Sequence, residues 1–505
     1  MDAIETLRRD VQDGRISADR LVDLIAVLQR QVQATQQQLQ AANERITELE
    51  KNLGGSPTAK VAEPFSMRAE EQRQEARGQK KRSRKRPGRR GRLKAKDKIA
   101  QAQRSENLYP EGVAPDACQL SHIRPVWRLE NNQAVLIAYH IYRGPKNQYG
   151  KIPGVMGRSE FGTEIVIEIA HLVYVLGLSF DKVCQLLNFF QNLHLRKSQT
   201  DALLYRLSRH WERQFEVLCT LLANSLVVHA DETRWSLNSV WAFLSEKARV
   251  LLFGVHKDAS TLDKILDPAT FAGIVISDDA AVYANFTESQ KCWAHLLRKA
   301  IKLTLQDPEN TDYRTLTDRL LAIYREACRV QRDGRLGGAG RVRKVRLLDD
   351  QIFDLCAPLW FTDLPPLQGL ANDYRLLIHE VMRLGIAEQL FTFVTAKPVE
   401  LPNGATKPVD GTNNEAERTL RGAAQARKTG RTNKTLPGAR RQTILTSVLE
   451  SLRLYLTTFT LASVIDELNR WQTAGRSCFE ELLQKLKLVL PEQPTLDHVL
   501  PQPSG

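Results

Sequence analysis

Between residues 225 and 286 the chain carries four short runs rich in Val, Ile, Phe and Trp, and this stretch narrows its fold more than any other. Leu226 to Ala230, Val240 to Ser245, Arg249 to Val255 and Gly273 to Ile276 are separated by polar or Gly-containing turns, a pattern that predicts β-strands. The last run is continuously apolar, as expected of a strand covered on both faces. The first three are spaced for two tight hairpins, and Leu262 to Leu266 reads as helical, so the order is β-β-β-α-β.

Two of these runs lead directly into acids. Asp231 follows Leu226 to Ala230, and Asp278 follows Gly273 to Ser277; in adjacent strands the two carboxylates converge on one sheet edge. Cutting or transesterifying a phosphodiester needs negative charge stabilised on both the attacking and the leaving oxygen, which two divalent ions about 3.5 to 4 Å apart achieve. Mg²⁺ is a hard ion that keeps waters and takes carboxylates rather than imidazoles or thiols. The β-β-β-α-β order is also that at the start of a ribonuclease-H-like nuclease core. An ordinary charged residue after a strand explains Asp231 equally well, and Asp279 stands beside Asp278 on the opposite face of the strand. Alternation puts His229, Asp231 and Thr233 on one face and Glu232 and Arg234 on the other, leaving Glu232 to pair with Arg234 or elsewhere.

A third acid lies in GTNNEAERTLRGAAQARKTG, whose Ala, Leu and Arg content predicts a helix. Asn414 is its expected N-cap and Glu417 stands three residues on, with Arg421 and Lys428 on about the same face. A capping box and an i,i+4 pair with Arg421 account for Glu417 as well as catalysis does. In KCWAHLLRKAIKL, Cys292 and His295 have metal-like spacing but no second pair to complete four ligands. His295 is open to a DNA contact, a role near a metal, or simple packing.

A formal net charge of +14 over 505 residues favours a polyanionic partner, and nucleic acid is the natural one. The tract from Gln79 to Lys98 concentrates that charge. Its density of like charges resists collapse and suits a phosphate-tracking arm, through Lys80, Lys81, Arg82, Arg84, Lys85, Arg86, Arg89 and Arg90. Before it, Leu21, Ile25, Leu28, Val32, Thr35, Leu39, Ala42, Ile46, Leu49 and Leu53 form a heptad seam, the pattern of a coiled coil and so of self-association. Seven scattered cysteines without a CxxC exclude a disulfide framework or zinc knuckle and fit a reducing compartment. The charged amino terminus and the lack of a long apolar run point away from export and membranes, so a cytoplasmic, nucleoid-associated protein is expected. Ser179 and Ser198 are expected to cap two of three helices between Phe161 and Leu222, an arrangement that permits a helix-turn-helix.

Taken in order, HADET around Asp231, SDDAAVY around Asp278, CWAHLLRK around His295 and NNEAERTLR followed by ARK around Glu417 resemble the insertion sequence 66 family of bacterial transposases. The resemblance runs from about Phe161 to Leu461. It implies a ribonuclease-H-like core interrupted by a helical insertion at about Ala300 to Lys397, and strand transfer at transposon ends dependent on Mg²⁺ or Mn²⁺, often with small companion proteins. By motif the family's acids fall on Asp231, Asp278 and Glu417, since the family usually has Gly where Asp279 stands. Thr412 replaces the usual Asp before the paired Asn, Leu297 replaces a usual Arg, and only Cys118 and His122 remain near the usual Cys-rich element.

The expected architecture is α/β: coiled coil at 1–55, basic linker at 56–110, strand-rich module at 111–155 and helical DNA-binding region at 156–223. A catalytic core follows at 224–299 and 401–475 around the insertion at 300–400, with a tail at 476–505. The expected function is DNA transposition by a dimer, with Arg418, Arg421, Arg427 and Lys428 touching DNA beside Glu417. The alternatives are a metal-dependent nuclease or resolvase, and an inactive transposase-derived DNA-binding protein.

Overall fold

Two asparagines make the first hairpin possible. In the computed structural model, which describes residues 95–360 and 368–500, Asn131 and Asn132 both have positive φ (49° and 60°), as a two-residue hairpin turn of type I′ requires. They join β2 (Gln119–Glu130) to β3 (Gln133–Arg143), and β1 (Arg104–Leu108) adds in parallel to give the order β1-β3-β2. The stretch expected as linker up to residue 110 thus includes regular structure, β1 and, ahead of it, a helical turn at Ala95–Ala100. The heptad seam and the cations from Lys80 to Arg90 lie outside the described residues.

Helices take over at α1 (Thr163–Ala170), which runs into a π-helical turn at His171–Val175. Ser179 caps α2 (Phe180–Gln191) as expected, its side chain accepting the Lys182 N–H. Ser198 does not cap α3 (Lys197–Ala223). It sits inside the first turn, while Arg196 is the N-cap and its N–H donates to Gln199 Oε1 at 3.0 Å. The apolar face of α3, with Leu204, Leu207, Trp211 and Phe215, is buried in the same core as one face of the central sheet.

That sheet comprises β4 (Val227–Arg234), β5 (Ser239–Ser245), β6 (Arg249–Val255), β7 (Ile274–Ser277) and β8 (Ser289–Lys291), in the order β6-β5-β4-β7-β8. The first three are antiparallel neighbours; β7 pairs parallel to β4, and β8 parallel to β7. A short helix at Ala259–Asp263 lies between β6 and β7. The order β-β-β-α-β is thus present, in a mixed α/β arrangement consistent with a ribonuclease-H-like core.

Beyond β8, α4 (Trp293–Gln306), α5 (Thr311–Arg332), α6 (Gly338–Trp360) and α7 (Gly369–Ile386) share a separate core that includes Leu320, Ile352, Ile378 and Val381. The chain returns through a two-stranded ribbon, β9 (Val399–Glu400) with β10 (Thr406–Lys407), to α8 (Asn414–Lys428) and α9 (Leu436–Tyr455). The two helices grip the sheet differently. Leu420 and Ala423 of α8 pack on Val240, Ala242 and Leu251, whereas Ile444, Val448 and Leu452 of α9 join the core around Trp241, Val250 and Leu252.

Helix α9 also solves the edge problem of β6. Thr443, Ser447 and Ser451 stand four residues apart, and their hydroxyls accept the N–H groups of Phe253 (3.0 Å), Leu251 (2.9 Å) and Arg249 (2.9 Å). Ser447 and Ser451 donate back to the carbonyls of Leu251 and Arg249. A row of hydroxyls on one helix face thus serves in place of a neighbouring strand, so the edge is not left as a template for aggregation.

Candidate active site at the edge of the central sheet

Asp231 lies within β4, which continues to Arg234, so it does not terminate the strand as its sequence position suggested; it stands opposite Ala242 of β5. The parallel register of β4 with β7 pairs Val227 with Ile274, Val228 with Val275 and His229 with Ile276. Carried two residues further, it sets Asp278 beside Asp231. Asp231 Oδ1 accepts the Glu232 N–H at 2.9 Å, and Asp278 Oδ1 accepts the Ala280 N–H at 3.1 Å. Burial pushes the Asp231 carboxyl up to about 7, reinforced by the charges of Glu232, Asp278 and Glu417.

The residues around this pair hold it from both sides. Glu232 is buried and takes no part with Arg234: Tyr283 donates its hydroxyl to Oε2 at 2.6 Å, and Lys257 pairs with Oε1. That hydrogen bond from Lys257, more than the charges of Asp278 and Asp231, raises the lysine pKa. Lys291 is buried behind Asp278, and its Nζ donates to Ser277 Oγ (3.1 Å) and to the Asp278 carbonyl (3.2 Å). Burial lowers its pKa, against the opposing pull of Asp279 and Asp278. Asp279 turns to Arg383 of α7, which leaves Asp278 as the acid neighbouring Asp231.

The glutamate arrives from across the chain. Asn413, not Asn414, occupies the N-cap of α8, and it makes no side-chain cap bond. Its side chain is fully buried and reaches the sheet instead. Nδ2 donates to the Ala230 carbonyl at 2.8 Å, Oδ1 lies 3.3 Å from His229 Nδ1, and its backbone N–H donates to Cys292 Sγ at 3.1 Å. One residue thereby ties α8 to β4 beside Asp231 through its side chain and to the start of α4 through its backbone N–H. Four residues on, Glu417 Oε1 accepts from Arg298 Nη2 at 2.6 Å, so neither the expected capping box nor a pair with Arg421 is what holds it. His295 Nδ1 lies 3.7 Å from the same oxygen.

Asp231 and Asp278 therefore each stand two residues beyond the last β4–β7 pair, and Asp278 and Glu417 are both near enough for their charges to be felt at Asp231. Ligand atoms of the three acids do not all lie within 4.8 Å of one another; Glu417 groups instead with Cys292 and His295. A second group, His229, Asp410 and Glu415, is neutralised from within. Lys407 and Arg249 pair with Glu415 and, against burial, carry its pKa down, while burial lowers that of His229. A cleft of about 630 Å³ opens beside the acids, lined by Asp278, Asp279, His295, Lys299, His379 and Arg383 among others. Arg418, Arg421, Arg427 and Lys428 are all exposed along α8.

Two carboxylates at the sheet edge, one with its proton held unusually tightly, fit a hard divalent cation: both offer oxygen, and a cation offsets the burial and the neighbouring negative charges that raise Asp231. Sequence reasoning did not single out Asn413, Lys291, Arg298 or the Tyr283–Glu232–Lys257 group. The paired asparagines ahead of a helix were the one visible signal among them. Residues 158–441, more than half of the chain, match the family model described as "Transposase IS66 family". No curated protein matches the chain.

Proposed function

The chain belongs to the IS66 family of transposases, and from that premise we propose that it cleaves and joins DNA at Asp231, Asp278 and Glu417. The observation that supports this most is the parallel β4–β7 register, which brings two carboxylates to one sheet edge where Asp231 resists ionisation. Asp231 and Asp278 would hold one Mg²⁺ or Mn²⁺ ion, and Glu417 would complete the site for a second. When bound, such ions stabilise charge on the attacking and leaving oxygens of the phosphodiester.

The protein's own groups do the rest. Asp231 would give up its proton to hold an ion, and Lys291 steadies the Asp278 turn through that residue's carbonyl. Glu417 would have to leave Arg298 to join the site, and the guanidinium would then be available to a DNA phosphate. Arg418, Arg421, Arg427 and Lys428 continue a cationic track along α8. The arm from Lys80 to Arg90 would hold the transposon ends, and the heptad seam would pair two subunits across them.

Strand transfer with labelled transposon ends in Mg²⁺ tests this. Joined products are expected from the wild-type chain, with a loss of about 10³-fold or more in Asp231→Ala and Glu417→Ala. Undiminished activity in either variant defeats the assignment. Cleavage without joining favours a nuclease or resolvase, and DNA binding that survives chelation without any cleavage favours an inactive descendant.

A further inference from the structure

Cys292 is the N-cap of α4; burial pushes its thiol up, while the N–H groups of Asn413, His295 and Ala294 pull against that, its Sγ already accepting the Asn413 N–H at 3.1 Å. One turn on, His295 Nδ1 is buried without a hydrogen-bond partner. It lies 3.7 Å from Glu417 Oε1, too far for a hydrogen bond. Two ligands of one tetrahedral zinc ion, each about 2.0 to 2.1 Å from the metal, stand roughly 3.3 Å apart, so the gap is close to that of co-ligands. One ligand atom from each of Cys292, His295 and Glu417 lies within 4.8 Å of the other two. Sulfur, imidazole and carboxylate together suit a thiophilic ion and not Mg²⁺. The spacing of Cys292 and His295 lacked a further ligand only because Glu417 is more than a hundred residues away in sequence.

We propose that Cys292, His295 and Glu417 form a binding site for a divalent cation of the zinc class, and that a bound ion withholds Glu417 from strand transfer. The second half of this rests on the catalytic reading of Glu417 given above; the site itself does not. Three protein ligands leave the fourth position to water. Arg298 competes for the same carboxylate, but its side chain is half exposed and free to retain the outer oxygen or leave. Filling this site and engaging Glu417 with Mg²⁺ would exclude each other, so zinc would act as a brake that chelation releases.

Cobalt(II) reports such a site by absorption, independently of catalysis. The full chain, stripped of metal, is titrated with Co²⁺; a thiolate charge-transfer band with visible bands of tetrahedral intensity is expected to saturate at one ion per chain. Zn²⁺ should displace the signal and Mg²⁺ should not. Cys292→Ser should abolish the thiolate band, and His295→Gln, at a partly exposed position, should weaken binding by about tenfold or more. Thermal melts of both variants check that the fold persists. Absence of the band in the wild-type chain, or its survival in Cys292→Ser, overturns the site. Zinc at one equivalent should cut Mg²⁺-dependent strand transfer by about tenfold or more; a filled site that leaves transfer intact overturns the brake. A chain that binds Co²⁺ as described but joins no strands in Mg²⁺ upholds the site and refutes the transposase chemistry alone.

Discussion

The strand pair that carries Asp231 and Asp278 and the helix that carries Glu417 reach the same sheet edge by different physics. The parallel β4–β7 ladder ends at His229 and Ile276, and its direction carries both chains to the same edge, where each aspartate stands two residues beyond the last pair. Glu417 depends on a single buried side chain. Asn413 donates its amide N–H to a strand carbonyl and turns its side-chain oxygen, the acceptor that could cap its own helix, toward a histidine, and Glu417 then pairs with an arginine on α4. Asp231 is thus held on the sheet against burial and neighbouring charge, while Glu417 is ion-paired with a half-exposed arginine. The proposed site therefore has a half fixed by the sheet and a half that would have to close.

The largest expected effect belongs to the fixed half. The folded, metal-free chain holds the Asp231 proton more tightly than the unfolded chain does. This contribution to stability is full below about pH 4 and is lost as pH rises through about 7, amounting to at most about 4 kcal/mol. Urea unfolding in chelator between pH 4 and 8 should show wild-type stability declining across that window and Asp231→Asn flattened by comparison, with Mg²⁺ restoring the wild type at high pH. Identical slopes in the two proteins would mean that the sheet edge stores no such repulsion.

Next in size is the clamp. Asn413→Ala leaves the Ala230 carbonyl and His229 without their partner in a buried setting, which costs about 1 to 3 kcal/mol. Denaturant titration should find that loss, and strand transfer measured below the melting range should fall further than stability explains. A variant that loses stability but keeps full activity shows that α8 positions Glu417 without Asn413.

The smallest effect probes the half that closes. Arg298→Ala removes the competitor for the Glu417 carboxylate. Mn²⁺ affinity measured without DNA should rise about twofold to fivefold, in keeping with an exposed ion pair worth less than about 1 kcal/mol. Unchanged or weaker affinity would show that Arg298 does not hold Glu417 in reserve.

Reading the sequence located the central sheet well because strands of four to eight residues declare themselves through local composition, and tight turns leave little choice of neighbour. It misplaced what depends on distant partners. Alternation separated Glu232 from Asp231 but not its attachment to Tyr283 and Lys257, and a helix-start pattern pointed to Asn414 and a capping box where the structure uses Asn413 as a strap to the sheet. Ser198 failed as a cap for a local reason: Arg196 and Gln199 close the first turn of α3, whose N-cap is two residues earlier.

The sequence alone determined the order of the first four strands of the central sheet and the helix between them, the chemical type of the three acids and the cationic character of the surfaces near them. All of these follow from residue type and short-range period. The tertiary structure alone decided that Asp231 would be buried near like charges and that Asp279 would be drawn off by Arg383. It also decided that Glu417 would sit beside Cys292 and His295. Those outcomes depend mostly on side chains from segments far apart in sequence, Asp231 with Asp278, Asp279 with Arg383 and Glu417 with Cys292, meeting at a half-buried edge where each polar group takes the partner that packing brings within reach.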